Sequence, residues 1–258
     1  MLEQNELQQL IIIDGTAFVY RAFFGLPMLT NSAGQPTNAI FSFTTTLLKI
    51  LREDKPQYLA VCFDRGGKSK RDELYAEYKA DRPPTPDALI SQFPYVRHIV
   101  EAFGIPIVEM DEYEADDVAG TLAKRAAEQG FEVLIMTNDK DMLQLISPQI
   151  QVYRVTPDGY KIYDAEACKE RYGVEPQQIP DYLALDGDKI DRIPGVSGIG
   201  EKTIPTLLAE FGTVENLLAH LDAVQNRWRT KLEAGQALAR LSKELATLNT
   251  DLNLPITP

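Results

Sequence analysis

Residues 182–203 read YLALDGDKIDRIPGVSGIGEKT, and two kinds of chemistry meet in them. Asp188 and Asp191, three positions apart, offer carboxylates that can hold a hard metal ion. Directly after them Gly195, Gly198 and Gly200 let the backbone turn tightly and come close to a ligand. The helix expected to start near Glu201 then presents unpaired N–H groups and the positive end of its dipole, with Lys202 and Thr203 in its first turn. A glycine hairpin between two helices is the pattern of a helix-hairpin-helix, which grips a sugar-phosphate backbone and reads no bases. A glycine-rich turn between two ordinary helices would explain the glycines alone; the adjacent acids weigh against that reading.

Outward toward the C-terminus the pattern stays helical, with helices expected at 164–172, 177–186, 201–210 and beyond 213, and Arg227, Trp228, Arg229 and Lys231 on the last. Toward the N-terminus strands and helices alternate. Gln9–Asp14 (QLIIID), Tyr58–Asp64 (YLAVCFD) and Phe131–Asp141 (FEVLIMTNDKD) are short apolar runs that each end in carboxylate. They predict buried parallel strands whose carboxyl edges, where open α/β sheets gather ligands, carry Asp14, Asp64, Asp139 and Asp141. Helical spacing at Ile40, Phe43, Leu47, Leu48 and Leu51 is stopped by Lys55-Pro56, and a second amphipathic helix is predicted over Asp87–Phe103. After a short strand at Ile105–Val108, Glu114, Asp116 and Asp117 stand at the start of a helix that runs to Gly130. Helix capping accounts for one acid there and leaves the others over. Residues 149–155 and 160–163 flank Thr156-Pro157-Asp158-Gly159, an expected edge hairpin.

A chain of 258 residues suits one large domain with a smaller appendage. Hydrophobic content of 44% with 25% charged residues is that of a globular protein rather than a disordered one. No apolar run approaches the roughly 18 residues of a membrane span, and the first residues lack a signal segment, so no membrane partner and a cytoplasmic, nucleoid-associated location are expected. Two cysteines and two histidines exclude a disulfide framework and make zinc a poor guess. The net charge of −12 argues against a nucleic-acid partner only if it is spread over the surface. Nine of the acids are candidates for one site: Asp14, Asp64, Glu114, Asp116, Asp117, Asp139, Asp141, Asp188 and Asp191. Gathered together they would repel one another strongly and require metal. Magnesium fits oxygen ligands, and two such ions about 4 Å apart are the usual device for hydrolysing a phosphodiester.

Residues 65–86 differ from the rest. Arg65, Lys68, Lys70, Arg71, Lys79 and Arg82 interleave with Tyr75 and Tyr78 before Pro83, Pro84 and Pro86, a composition suited to phosphate pairing and base stacking. Asp72, Glu73, Glu77 and Asp81 interrupt the run, which also fits a solvated helical face.

The runs IIIDGTAFVYRAFF, PTNAIFSF, CFD, RDELYAEYKADRPPTP, EYEADDVAGTLA, TNDKDMLQLI and GDKIDRIPGVSGIGEKT carry a resemblance to the 5′ nuclease superfamily. These are the flap endonucleases and 5′–3′ exonucleases found at the amino end of bacterial DNA polymerase I and as free-standing enzymes. The resemblance implies an α/β fold: a PIN-like, mostly parallel central sheet flanked by helices over residues 1–172, including a helical clamp at about 65–86, and a helical region over 173–258 with a helix-hairpin-helix at about 178–212. It implies a first metal at Asp14, Asp64, Glu114 and Asp116, a second at Asp116, Asp139, Asp141 and Asp188, and supporting roles for Asp117 and Asp191. It further implies catalytic contacts at Lys79 and Arg82 beside Asp116, and DNA contacts at Tyr20, Arg21, Thr37, Asn38, Lys68, Lys70, Arg71, Tyr75, Gly198, Gly200, Lys202 and Thr203. Two or more Mg²⁺ ions, with Mn²⁺ as a substitute, and a K⁺ ion on the carbonyls of Val196 and Ile199 are the implied cofactors. The implied substrate is DNA with a 5′ flap, nick or 5′ overhang, cut by a monomer in replication and repair; a linked DNA polymerase domain is the implied partner in a longer protein.

The family run is commonly GDKSDNIPG, and Ile190 and Arg192 depart from it. Around Ser69-Lys70-Arg71-Asp72 an aromatic and a histidine of the family are missing. Competing readings are a ribonuclease with the same acidic architecture, which would lack the hairpin, a DNA-binding module that has lost catalysis, which would lack metal acids, and a structural domain of a polymerase.

Overall fold

A computed structural model describes residues 8–156 and 159–256. In chain order it contains β1 (Gln9–Asp14), α1 (Gly15–Phe24), α2 (Asn38–Glu53), β2 (Tyr58–Cys62), α3 (Lys70–Leu74), α4 (Asp87–Ile90), α5 (Phe93–Ala102), β3 (Ile107–Val108), α6 (Ala115–Glu128), β4 (Glu132–Met136), β5 (Ile150–Thr156), β6 (Gly159–Tyr163), α7 (Ala165–Tyr172), α8 (Ile179–Asp186), α9 (Ile204–Phe211), α10 (Val214–Ala219) and α11 (Asn226–Ala246).

The strands form one sheet in the order β3-β2-β1-β4-β5-β6, parallel except for β6. β1 sits at its centre because its side chains are apolar on both faces. Leu10 and Ile12 join one core with α6 and the helical region, while Ile11 and Ile13 join the other with α1, α2 and α5. β2 and β4 alternate in the same way, Ala60 and Val133 to the first core and Val61 and Met136 to the second. With both faces covered, the strands read as continuous apolar runs, and all three direct their carboxyl ends to one edge. The second core alone buries Phe43, Leu47 and Ile50 of α2 almost completely.

Three expectations need correction. The clamp is helical only over Lys70–Leu74, closed by Ser69 and Asp72 capping each other. Tyr75 then turns to extended backbone (φ −144°), and residues 76–81 are turns, because Pro83 and Pro84 leave no room for another helix. The helix expected over 87–103 is two, because Pro94 in the first turn of the second has no N–H to continue the ladder, and at the junction the Gln92 side chain accepts from the N–H groups of Ala39 and Ile40 (2.8 and 3.1 Å). The hairpin's second helix begins at Ile204, with residues 201–203 still in a turn. Of the edge hairpin, β5 and β6 pair as antiparallel strands, while Pro157 and Asp158 at its tip lie outside the described residues. Among the described residues no helix is long and apolar enough to cross a membrane.

Beyond α11 the chain returns to the sheet. Leu248 N–H donates to Gln144 Oε1 (3.1 Å), Asn249 N–H to Asp117 Oδ1 (2.8 Å), and Thr121 Oγ1 to Asn249 O (3.2 Å). This strap fastens the helical region to α6.

Candidate metal and nucleic-acid site

β1 ends in Asp14, whose carboxylate also caps α1 by accepting from Ala17 N–H (3.0 Å) and accepts from the Thr137 hydroxyl (2.8 Å). It is buried, and burial raises its pKa to about 7, with the negative charges of Asp64 and Asp139 adding to the effect. Asp64, just past β2, is exposed and accepts from Ala115 N–H at the start of α6 (2.7 Å). β4 runs out through Thr137 to Asp139, which accepts from Asp141 N–H (2.9 Å). Burial raises the pKa values of Asp139, Asp141 and Asp116, and the neighbouring carboxylates of Asp188 and Asp191 act on Asp139. Asp141 Oδ1 is buried without a hydrogen-bond partner.

Four cations stand among these acids. Arg71 is 8% exposed and forks onto Asp117 (2.9 and 2.8 Å), reaches Glu114 (2.9 Å) and Asp116 (3.5 Å), and donates through Nε to Leu245 O on α11 (2.9 Å). Lys79 Nζ lies 2.8 Å from Glu114 Oε1, where the Tyr78 hydroxyl also donates to the second oxygen (3.1 Å). Burial works against ionisation of Glu114, but Lys79 and Arg71 overcome it and hold its pKa below the usual value. Lys140 pairs with Asp188 (3.2 Å) and Arg82 with Asp191. A cleft of about 230 Å³ bounded by Asp64, Lys68, Lys79, Arg82 and Glu114 opens onto the group.

The structure therefore assembles the acids into one neighbourhood and holds several of them in ion pairs. Among the described residues, no three His, Cys, Asp or Glu side chains stand close enough to chelate one ion as placed. The donor chemistry nevertheless fits a hard divalent cation. The donors are carboxylate oxygens, four of the acids, buried Asp14 and Asp141 and half-buried Asp116 and Asp139, have raised pKa values, and the unpartnered Asp141 oxygen is a group that only a cation, a proton or water can satisfy.

Three candidates do other work. Asp117 accepts from Arg71, from Asn249 N–H and from Glu114 N–H (3.4 Å), contacts that suit the supporting role expected of it. Arg71, expected at the DNA, is sequestered among the acids it neutralises. Asn38 is likewise buried, donating to Phe23 O (2.7 Å) and accepting from Gln92 (3.1 Å), which removes it from any DNA surface.

Other candidate contacts are open to a ligand to different degrees. Lys68 and Lys70 are exposed, and Lys70 pairs with Glu112 (2.9 Å). Tyr75 and Thr37 are half-buried, as are Tyr20 and Arg21 on α1, where the Tyr20 hydroxyl meets that of Thr85. Past α8, Asp188 and Ile193 exchange backbone hydrogen bonds (2.9 and 2.8 Å) across the loop that carries Ile190, which is 73% exposed. Gly187 and Gly195 cross at contact distance: a Cβ on Gly195 would lie 2.6 Å from Gly187 N, and both have positive φ, so neither tolerates a side chain. Gly198 and Gly200 lead to exposed Lys202 and half-buried Thr203. The side chains of Val196 and Ile199 are buried, and the Val196 carbonyl accepts Ile199 N–H (3.1 Å). The sequence reading missed Thr137 and Lys140, took Tyr78 for a stacking residue where it holds Glu114, and gave no role to Lys231, which donates to Gly198 O (2.8 Å). A lysine between two aspartates in NDKD was the available signal for Lys140.

Two family models match in tandem: "5'-3' exonuclease, N-terminal resolvase-like domain" over residues 9–173 and "5'-3' exonuclease, C-terminal SAM fold" over 174–258. DNA polymerase I of Caldicellulosiruptor bescii is 48% identical over 252 residues, 96% of this chain and 30% of that protein. A 5′–3′ exonuclease of Aquifex aeolicus is 43% identical over 252 residues, 97% of this chain and 85% of that protein. The chain thus spans about a third or less of the polymerase relatives and most of the exonuclease. A flap endonuclease of bacteriophage T5, solved with DNA and metal ions, superposes with a TM-score of 0.76 at 26% identity, over 94% of this chain and 90% of that one.

Proposed function

The chain belongs to the 5′–3′ exonuclease family across both of that family's domains, and from that premise we propose that it is a structure-specific 5′ nuclease. Its substrate would be DNA with a 5′ flap, nick or 5′ overhang, and its reaction the hydrolysis of one phosphodiester bond. The observation that carries the reading is that Asp14, Asp116, Asp139 and Asp141 lie near enough for each to feel a neighbour's charge, with Lys79 acting on Asp116 and Asp139. Buried carboxylates of like charge are stable only when something positive joins them, and a phosphate needs positive charge to approach them.

Asp14, Asp64, Glu114 and Asp116 would hold one divalent ion and Asp116, Asp139, Asp141 and Asp188 a second, with magnesium the expected metal and manganese a substitute. When bound, the ions supply Lewis acidity toward the attacking water and the departing oxygen. The protein's own residues do the rest. Lys79 leaves Glu114 for the scissile phosphate and, with Arg82, stabilises the charge that builds there. Asp191 orients Arg82, and Tyr78 and Arg71 hold Glu114 and Asp116 in place. Gly198, Gly200, Lys202 and Thr203 would seat the duplex backbone through N–H groups and charge. A potassium ion on the carbonyls of Val196 and Ile199 would add positive charge there, beside the ammonium of Lys231.

The test is cleavage of a 5′-labelled flap duplex, with magnesium and with chelator, beside a single strand and a blunt duplex of the same sequence. Metal-dependent cutting at the junction is expected, and Asp116→Asn is expected to bind the flap without cutting it. Binding without cutting by the unaltered chain would refute the reading.

A further inference from the structure

Arg192 is one of the two departures from the family's common run, and its surroundings explain what it does in this chain. It is a non-glycine residue at φ 56°, in the left-handed region that side chains seldom adopt. From there its Nε lies 2.8 Å from Asp81 Oδ2 and its Nη1 3.5 Å from Glu77 Oε2. Both acids belong to the non-helical turn that carries Lys79 and Arg82, and Lys79 is itself at φ 54°. Next to these ion pairs, Lys79 N–H donates to Asp191 O (3.0 Å) and Arg82 pairs with the Asp191 carboxylate. Two neighbouring residues of the loop before the hairpin thus hold the turn. Asp191 does so by backbone and carboxylate, Arg192 by its guanidinium.

We propose that Arg192 is a positioning residue, an ion-pair latch that fastens the 77–82 turn to the mouth of the hairpin and keeps Lys79 and Arg82 aimed over the acids. The latch also cancels the charges of Glu77 and Asp81, which would otherwise repel a phosphate backbone passing the turn. An uncharged side chain at position 192 could do neither. The proposal rests on the nuclease reading for its second half, the service to the reaction; the fastening itself is a property of the protein alone.

The test compares hydrogen exchange across residues 75–82 with flap cleavage in four proteins: the unaltered chain, Arg192→Asn, Asp81→Asn, and the charge-swapped pair Arg192→Asp with Asp81→Arg. Asparagine and aspartate both tolerate the left-handed backbone, so loss of charge is separated from strain. Because the partners are partly exposed, the single variants should exchange only about threefold to fivefold faster over this segment. Their kcat should fall by a similar factor, and the swapped pair should restore both in part, because it remakes the bond between positions 81 and 192 but leaves Glu77 without its cation. About 1 M salt should loosen the segment in the unaltered chain and change Arg192→Asn little. Exchange that is the same in Arg192→Asn and the unaltered chain overturns the latch. Faster exchange with unchanged kcat overturns its part in the reaction. If the unaltered chain cuts no DNA, the nuclease reading fails, and exchange still decides the latch.

Discussion

Asp141 Oδ1 has no hydrogen-bond donor, and an unsatisfied buried carboxylate oxygen costs on the order of 1–3 kcal/mol or more. Asp14, at the other end of the group, makes the consequence measurable. Its pKa is about 7 in the folded protein against 3.8 for the free residue. The folded state therefore holds a proton that the unfolded state gives up between those values, so Asp14's contribution to stability is full below about pH 4 and lost as pH rises through 7. Calorimetry of chelated protein should show a higher Tm at pH 5 than at pH 7.5, staying above pH 4.5 so that Glu114, whose pKa is lowered and whose contribution has the opposite sign, remains ionised. Asp14→Asn should remove its own share of the difference and leave the rest to Asp116, Asp139 and Asp141, whose pKa values are raised as well. Lys79 is the corresponding cation. Single-turnover cleavage by Lys79→Ala should be slower by about 10²–10³-fold, as for loss of one donor to a developing charge, while DNA affinity changes by less than tenfold. A loss confined to affinity would make Lys79 a phosphate anchor only.

Among the elements, α6 is the one on which the acid group hangs, since Glu114, Asp116 and Asp117 all sit at its start. Arg71, from the short α3, is their common partner. Replacing it by methionine keeps the bulk, leaves buried Asp117 and half-buried Asp116 without their cation and leaves Glu114 with Lys79 alone, which should cost about 3–5 kcal/mol. Thermal unfolding should fall by about 10 °C at this chain length. Lysine should rescue little, because it lacks the fork that spans Asp117 and reaches Leu245 O. This is also where the sequence reading stops. Apolar runs ending in aspartate made β1, β2 and β4 legible, because strand burial on both faces leaves a period-free hydrophobic signature. Arg71 in a basic stretch looks like a surface residue, since nothing local reveals partners 43 to 46 positions away and a carbonyl 174 positions away. Asn38 and Gln92 were illegible for the same reason: their partners are backbone groups brought up by tertiary packing.

At the scale of the molecule, the sheet brings acids from β1, β2 and β4 to one edge, and the helical region closes over them with Asp188 and Asp191. That the chain turns helical from about 164 onward was readable from the change of period. The strap from Thr247 to Leu254, which returns to α6, was not, because a polar segment with three leucines carries no address. Closure over mutually repelling acids means that the whole fold should respond to a divalent ion. Magnesium at 100 times its dissociation constant should add about 2.7 kcal/mol, read as a rise of about 5–10 °C in Tm. The rise should be absent in Asp116→Asn if that acid serves both ions.

The strap and Arg71 have a mechanical meaning as well. The hairpin is bonded to α11 through Gly195 and Ser242 and through Gly198 and Lys231, and the end of α11 is bonded to Arg71, which holds the acids of α6. If the hairpin holds a strand as proposed, a tug on that strand would reach Glu114 and Asp116 through this series of bonds. Tension in the strand and the spacing of the acids would then be coupled, and cutting under optical-trap load should slow as the load rises.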